Sequence, residues 1–203
     1  MLRTLLSAGT FRGRRETVQG GLKMGLFKAF VSQTRKPEGL LGKMMLSGMN
    51  SGHAKLADWG FSYIPDIAPE KAVDLGCGAG RNVGELLKKH PKAHVTGIDY
   101  SDLSVERAKK YNKDSAAAGR CSIQQGDVSE LQLPGEAFDL ATAFETICFW
   151  PGLEKCFGQV AKILKPGGFF MICNESDGTD PTSLKFEKII DGMRNYTADE
   201  ISY

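Results

Sequence analysis

The sequence predicts an α/β domain built on a doubly wound, mainly parallel sheet and preceded by a helical N-terminal lead-in. Three observations predict it. From residue 71 onward, short apolar runs of strand length alternate with segments whose apolar residues recur at helical spacing. One of those runs ends in a glycine-rich turn that opens a helix. The run after it ends in an acid. Strands alternating with helices pair in parallel through right-handed crossovers, which places helices on both faces of the sheet.

The elements follow in chain order. Residues 1–23 carry Arg3, Arg12, Arg14 and Arg15 against a single acid, Glu16. That composition fits a transit segment, or an extension ahead of a start at Met24. The second reading is preferred because no amphipathic face develops, so the segment is expected to be disordered or non-native. Residues 24–65 read as a helical lead-in or lid. Leu40, Leu41, Met44 and Met45 keep helical spacing over about residues 38–49. A second short helix is expected from Gly52 to Trp59, with Gly60 as its stop.

Residues 66–203 form the main domain. Its expected strands are Ala72–Leu75, His94–Asp99, Ser122–Gln125, Phe138–Phe144 and Phe169–Cys173. Helical patterns lie between them, first at Val83, Leu86 and Leu87, then at Val105, Ala108 and Tyr111. The clearest keeps Leu153, Cys156, Phe157, Val160, Ile163 and Leu164 on one face and ends at Lys165-Pro166-Gly167-Gly168, a helix stop followed by a tight turn. Thr197 and Glu200 have the spacing of a capping box, which announces one more helix.

Composition narrows the function classes. A chain of 203 residues suits one domain with a full core, and 41% apolar with 25% charged residues is ordinary for a globular protein. No apolar run approaches the roughly 20 residues of a bilayer span, so no membrane partner is expected. The net charge of +2 hides an asymmetry, since residues 1–45 hold nine basic against two acidic residues. Those charges are dispersed without interleaved aromatics, and nucleic-acid binding is not favoured. The five cysteines, Cys77, Cys121, Cys148, Cys156 and Cys173, include no metal-type pair and are odd in number. Free thiols in a reduced, cytoplasmic setting are therefore expected, with no metal site.

The motif that carries chemistry is Val73-Asp74-Leu75-Gly76-Cys77-Gly78-Ala79-Gly80, between an expected strand and an expected helix. Glycines there let the backbone turn sharply and approach a ligand closely. Asp99 ends the next strand, 19 residues after Gly80, where an acid can accept ribose hydroxyls. A dinucleotide fingerprint would need glycine at position 81, which is Arg81, so NAD and FAD are disfavoured; the P-loop pattern is absent too. Asp127, after the third strand, can accept from an adenine amino group, and Glu145 follows the fourth. Ligands of open parallel sheets bind beyond the carboxyl ends of the strands, where Asp74, Asp99, Asp127 and Glu145 would cluster.

The run VDLGCGAG, then GIDYS, QGDV, FDLATAFE and LKPGG, in that order over about residues 50–175, resembles the class I S-adenosylmethionine-dependent methyltransferases of the small-molecule type. The segment from Asn50 to Gly60 resembles the lead-in of bacterial members. The resemblance implies a Rossmann-like methyltransferase topology with S-adenosylmethionine as cofactor. It implies that Asp74 and the backbone of Gly76, Cys77 and Gly78, within a turn closed by Gly80, hold the cofactor's amino-acid end. Asp99 would take the ribose, Tyr100 would lie against the adenine, and Asp127 with Val128 would fix its edge. Glu145 would border the cofactor or the substrate. The resemblance also implies two C-terminal strands beyond Tyr203, without which Phe169–Cys173 is expected to be an apolar edge prone to pairing with another chain.

Methyl transfer from a sulfonium needs alignment first and a base only where the acceptor must lose a proton. Glu145, His53 and Tyr63 are candidate bases. Phe144-Glu145-Thr146-Ile147 departs from the Asn/Asp-Pro-Pro-aromatic motif of many enzymes that methylate DNA bases or protein amides, so a small-molecule acceptor is favoured. Phe149 and Trp150 either line an acceptor pocket or pack under the sheet edge. Two alternatives stay open: a non-catalytic nucleoside-binding domain, and an NAD-dependent oxidoreductase on a similar fold.

Overall fold

The computed structural model describes residues 3–8, 39 and 54–202. The expected helix over 38–49 (all but Gly39), the methionines at 44, 45 and 49, and His53 lie outside the described residues. Within them the chain runs β1 (Arg3–Ala8), α1 (Ala54–Phe61), β2 (Lys71–Leu75), α2 (Arg81–Lys89), β3 (His94–Asp99), α3 (Asp102–Tyr111), α4 (Lys113–Ala117) and β4 (Cys121–Gln125). It continues through β5 (Phe138–Phe144), α5 (Leu153–Ile163), β6 (Leu164–Asn174), α6 (Pro181–Ile189) and α7 (Ala198–Ile201). Short 3-10 turns occupy Val128–Glu130 and Ile147–Phe149.

All strands pair in parallel, in the spatial order β1-β6-β5-β2-β3-β4. From β2 the chain winds outward through β3 and β4, then returns to place β5 on the other side of β2 and moves outward again to β6. The reversal lies between β2 and β5, where Asp74 is in register with Thr142. Crevices for ligands open at such a reversal. Two apolar layers cover the sheet. Ala57, Phe61, Leu86, Val95, Ala108 and Met171 pack on one face, and Val73, Leu75, Ala141, Val160, Phe170 and Ile172 on the other. The alternation along β6, with Met171 to one side and Phe170 and Ile172 to the other, follows from the two-residue period of a strand.

Four differences from the sequence reading have clear causes. Gly60 does not stop α1; it lies inside the helix, where an added Cβ would stand 2.8 Å from Cys173 Sγ and 2.9 Å from Phe144 Cε1. Its lack of a side chain seats α1 on the ends of β5 and β6. The Lys165–Gly168 segment is not a turn ahead of β6 but a bulge within it, because the pairing steps from Phe138–Leu164 to Leu140–Phe169. Gly167 takes φ 83 there and Lys165 binds Asp139 at 2.7 Å. Helix α6 was not expected, although Asp180 caps it by accepting from Ser183 N at 2.8 Å and Pro181 opens it. Finally, the backbone of Arg3–Ala8, assigned from sequence to an extension outside the domain, runs beside β6 in register Arg3–Phe169 to Ala8–Asn174. The row of N–H and C=O groups along β6 offers that pairing, so in the structure this apolar strand is not an open edge.

The capping box is present as expected. Glu200 N donates to Thr197 Oγ1 at 3.3 Å while Thr197 N donates to Glu200 Oε2 at 2.9 Å.

Candidate functional site

The glycine turn joins β2 to α2 and is fixed from below by β3. Gly76 N and Cys77 N both donate to Ile98 O, at 2.8 and 2.9 Å, and Gly80 N donates back to Cys77 O at 2.9 Å. Gly78 N donates to Asp99 Oδ2 at 2.8 Å, so the turn and the acid that ends β3 face each other directly. Asp99 Oδ1 accepts from Ser101 N at 3.0 Å. A carboxylate has about four acceptor positions, and with the bond from Ser104 three are filled, so capacity for a further hydroxyl remains. Asp99 is 7% exposed, and burial raises its pKa against the lowering effect of the bonds from Ser101, Gly78 and Ser104.

The glycines of the motif do different things. Gly78 takes φ 53, and a Cβ on it would meet nothing within 4 Å, so it borders open space beside Asp99. Gly76 takes φ 78 and is crowded by Thr146, whose Cγ2 would lie 2.5 Å from a Cβ there. Thr146 Oγ1 donates to Leu75 O at 3.0 Å, which ties the end of β5 to the turn. Gly80, at φ 85, is buried against α3, with Ala108 Cα 2.8 Å from the position a Cβ would take. Asn112 Nδ2 donates to its carbonyl at 2.9 Å. Gly80 therefore serves packing between α2 and α3. The Cys77 thiol is buried in the core and kept protonated by burial and by the charges of Asp99 and Asp74.

Asp74 is 1% exposed and its Oδ1 accepts from Thr142 Oγ1 at 2.7 Å, across the β2–β5 seam. Its Oδ2 is buried without a partner. Burial pushes its pKa up to about 7; the Thr142 bond opposes this and the Asp99 charge adds to it. A buried acid with an orphaned oxygen is costly unless a donor or cation reaches it.

The remaining candidates divide. Tyr100 is 37% exposed at the rim of β3, where its carbonyl accepts from Gln125 Nε2 at 3.1 Å. Asp127 is exposed and caps the turn at Val128–Glu130 by accepting from Ser129 N at 2.7 Å, while Val128 is buried beneath it. Glu145 stands in the left-handed region at φ 59, unusual for a residue other than glycine, and its Oε1 accepts from Glu175 N. Its position at the carboxyl edge is as expected, but that bond directs it towards the end of β6. Trp150 is core: it stacks on Phe170 at 6.2 Å and 3°, and Phe157 meets Phe170 edge-on at 5.5 Å. Tyr63 is half exposed and pairs edge-on with Trp59 at 4.9 Å. Among the described residues no cluster of metal ligands occurs, and no helix is long and apolar enough to cross a membrane.

With the turn, the facing acid and the switch point in place, comparison with known proteins has a geometry to meet. The family described as a methyltransferase domain matches residues 68–200. The chain belongs to the class I methyltransferase family. "Sterol methyltransferase-like 2" of Botryococcus braunii is 34% identical over 134 residues, which are 64% of this methyltransferase chain and 34% of that protein. A 24-methylenesterol C-methyltransferase of Arabidopsis thaliana is 32% identical over 50% of this chain and 28% of its own. The chain thus spans about a third of the length of these curated relatives. A methyltransferase of Haloferax volcanii, solved in complex with the Trm112 methyltransferase activator, superposes with a TM-score of 0.70 at 22% identity, over 86% of this chain and 71% of that one. That likeness shows the fold, a Rossmann-like methyltransferase sheet.

Sequence reasoning missed two pairings beside the glycine turn. Arg81, the first residue of α2, places Nη2 2.5 Å from Asp58 Oδ1 on α1. Thr142 is the other. Neither has a local signal, since each pairing joins residues far apart in the chain.

Proposed function

We propose that this methyltransferase binds S-adenosylmethionine at the carboxyl edge of β2, β3 and β4 and passes its methyl group to a small-molecule acceptor. The observation that carries the reading is the 2.8 Å contact between Gly78 N and Asp99 Oδ2, beside the open space at Gly78. A glycine turn joined to an acid with acceptor capacity to spare is what a nucleoside ribose requires. The orphaned Asp74 Oδ2 supports the same fit from the other side, because an ammonium group would satisfy it. Tyr100 offers a ring for the adenine, and Asp127 with Val128 a polar and an apolar contact for its edge. The backbone of Gly76 and Cys77 shapes the amino-acid end without donating to it, their N–H groups being held by Ile98.

When bound, the cofactor supplies a methyl group already activated on sulfur, so transfer is an in-line displacement. The chain's own residues then align the acceptor and exclude water. A base is not required for an acceptor that presents a lone pair or an electron-rich double bond. Relatives named as sterol and squalene methyltransferases favour an apolar, isoprenoid-type acceptor as the first class to try.

Calorimetric titration with S-adenosylhomocysteine and with NAD tests the reading. Binding of S-adenosylhomocysteine alone is expected, and binding of NAD alone would overturn the assignment.

A further inference from the structure

Four amides of the glycine turn are committed to the protein itself. Gly76 N and Cys77 N are held by Ile98 O, Gly78 N by Asp99 and Gly80 N by Cys77 O. An α-amino acid moiety lying against this turn has an ammonium, which Asp74 Oδ2 can accept, and a carboxylate, which these amides cannot serve. A cationic side chain beside the turn suits that carboxylate best. Arg81 stands next to Gly80 at the start of α2, with its side chain only 17% exposed. Its guanidinium already holds a carboxylate: Nη2 lies 2.5 Å from Asp58 Oδ1, and Nη1 donates to Asn82 Oδ1 at 3.2 Å. Asp58 belongs to α1, the lead-in helix, which packs on the sheet face that also carries Asp74, with Phe61 4.7 Å from Phe144 and Gly60 against Cys173. Asp58 is 59% exposed and among the described residues its carboxylate is held by this ion pair alone, so it can turn to water at little cost.

We propose that Arg81 reads the carboxylate of the cofactor's amino-acid end, and that Asp58 occupies the guanidinium as a stand-in carboxylate until that end arrives. The inference rests on the functional reading above. Arg81 is then a specificity-determining residue, and the Asp58–Arg81 pair makes the seating of α1 responsive to the cofactor. A planar guanidinium suits a carboxylate bidentately, which a lysine ammonium does not reproduce.

The test compares S-adenosylhomocysteine with its decarboxylated counterpart, which keeps the nucleoside, the thioether and the amine. The wild-type chain should prefer the carboxylated ligand by about tenfold or more, the range expected for a charge-assisted pair. Arg81→Met should bring that preference to within about twofold of unity, and Arg81→Lys should retain part of it. Asp58→Asn, which removes the competitor, should strengthen binding of the carboxylated ligand and leave the decarboxylated one nearly unchanged. A wild-type chain that binds both ligands equally overturns the proposal, as does an Arg81→Met chain that weakens both in parallel. If Arg81→Met does not fold, the Arg81→Lys and Asp58→Asn ratios decide, and wild-type ratios in both overturn it. Failure of the wild-type chain to bind either ligand strikes the functional reading instead.

Discussion

Replacing Asp74 with Asn gives the sharpest test of how the site is wired. The carboxyl group is fully buried, accepts one bond from Thr142 and leaves Oδ2 orphaned. Its pKa rises from 3.8 to about 7 on folding. At roughly 1.4 kcal/mol per pH unit, the ionised form costs the folded state up to about 4 kcal/mol. The sign follows from the raised value. Stability is full below the unfolded pKa of 3.8 and is lost as pH climbs through about 7, because the unfolded chain releases the proton first. An Asn side chain keeps the Thr142 bond available and has no proton to lose. Chemical denaturation of both chains between about pH 5 and pH 8 should therefore show the wild type losing roughly 2–3 kcal/mol relative to Asp74→Asn. In the same window, S-adenosylhomocysteine should bind the wild type more tightly as pH rises and release a proton near pH 6, read from the dependence of calorimetric heat on buffer. Parallel stability curves for the two chains would refute the placement of a titrating acid at this seam.

Three further outcomes follow from the same geometry. Asp99→Ala should weaken S-adenosylhomocysteine binding by at least about a hundredfold, since the proposed ribose contact and the anchor of Gly78 disappear together; calorimetry measures it. Gly78→Ala and Gly80→Ala should behave oppositely. The first faces open space and should cost only about 1 kcal/mol of stability while blocking ligand binding, whereas the second meets the α3 backbone and should cost about 3 kcal/mol, both read from denaturant midpoints. Gly60→Ala should loosen α1 from Cys173 and Phe144, raising amide hydrogen exchange across Ala54–Phe61 while the central strands stay protected.

Local chemistry was legible to the residue where it was self-contained. Strands His94–Asp99 and Phe138–Phe144 have the predicted bounds because each is buried along nearly its whole length and stopped by a polar turn. The placement of Asp99 was legible as well, because it depends only on ending a strand beside a glycine turn. Contacts between distant segments were not. Gly60 and Gly80 look alike in sequence to turn formers, yet each is a gap into which another element fits, and only the packed structure shows what fills it. The Lys165–Gly168 bulge was read as a turn because Pro and Gly punctuate both. Trp150 carried two readings until its stack on Phe170 assigned it to the core.

The central placement of β5 has a consequence for the nascent chain. Strands β2, β3 and β4 come from one stretch of sequence and can pair as soon as they are made, but β2 then presents a bare apolar flank until β5 arrives. Asp74 sits in the middle of that flank, hydrated and negative while it waits. A charge there repels strangers that would otherwise zip onto the strand, and burial neutralises it only once β5 closes over it. The acid proposed to meet the ligand thus first acts as a gatekeeper during synthesis.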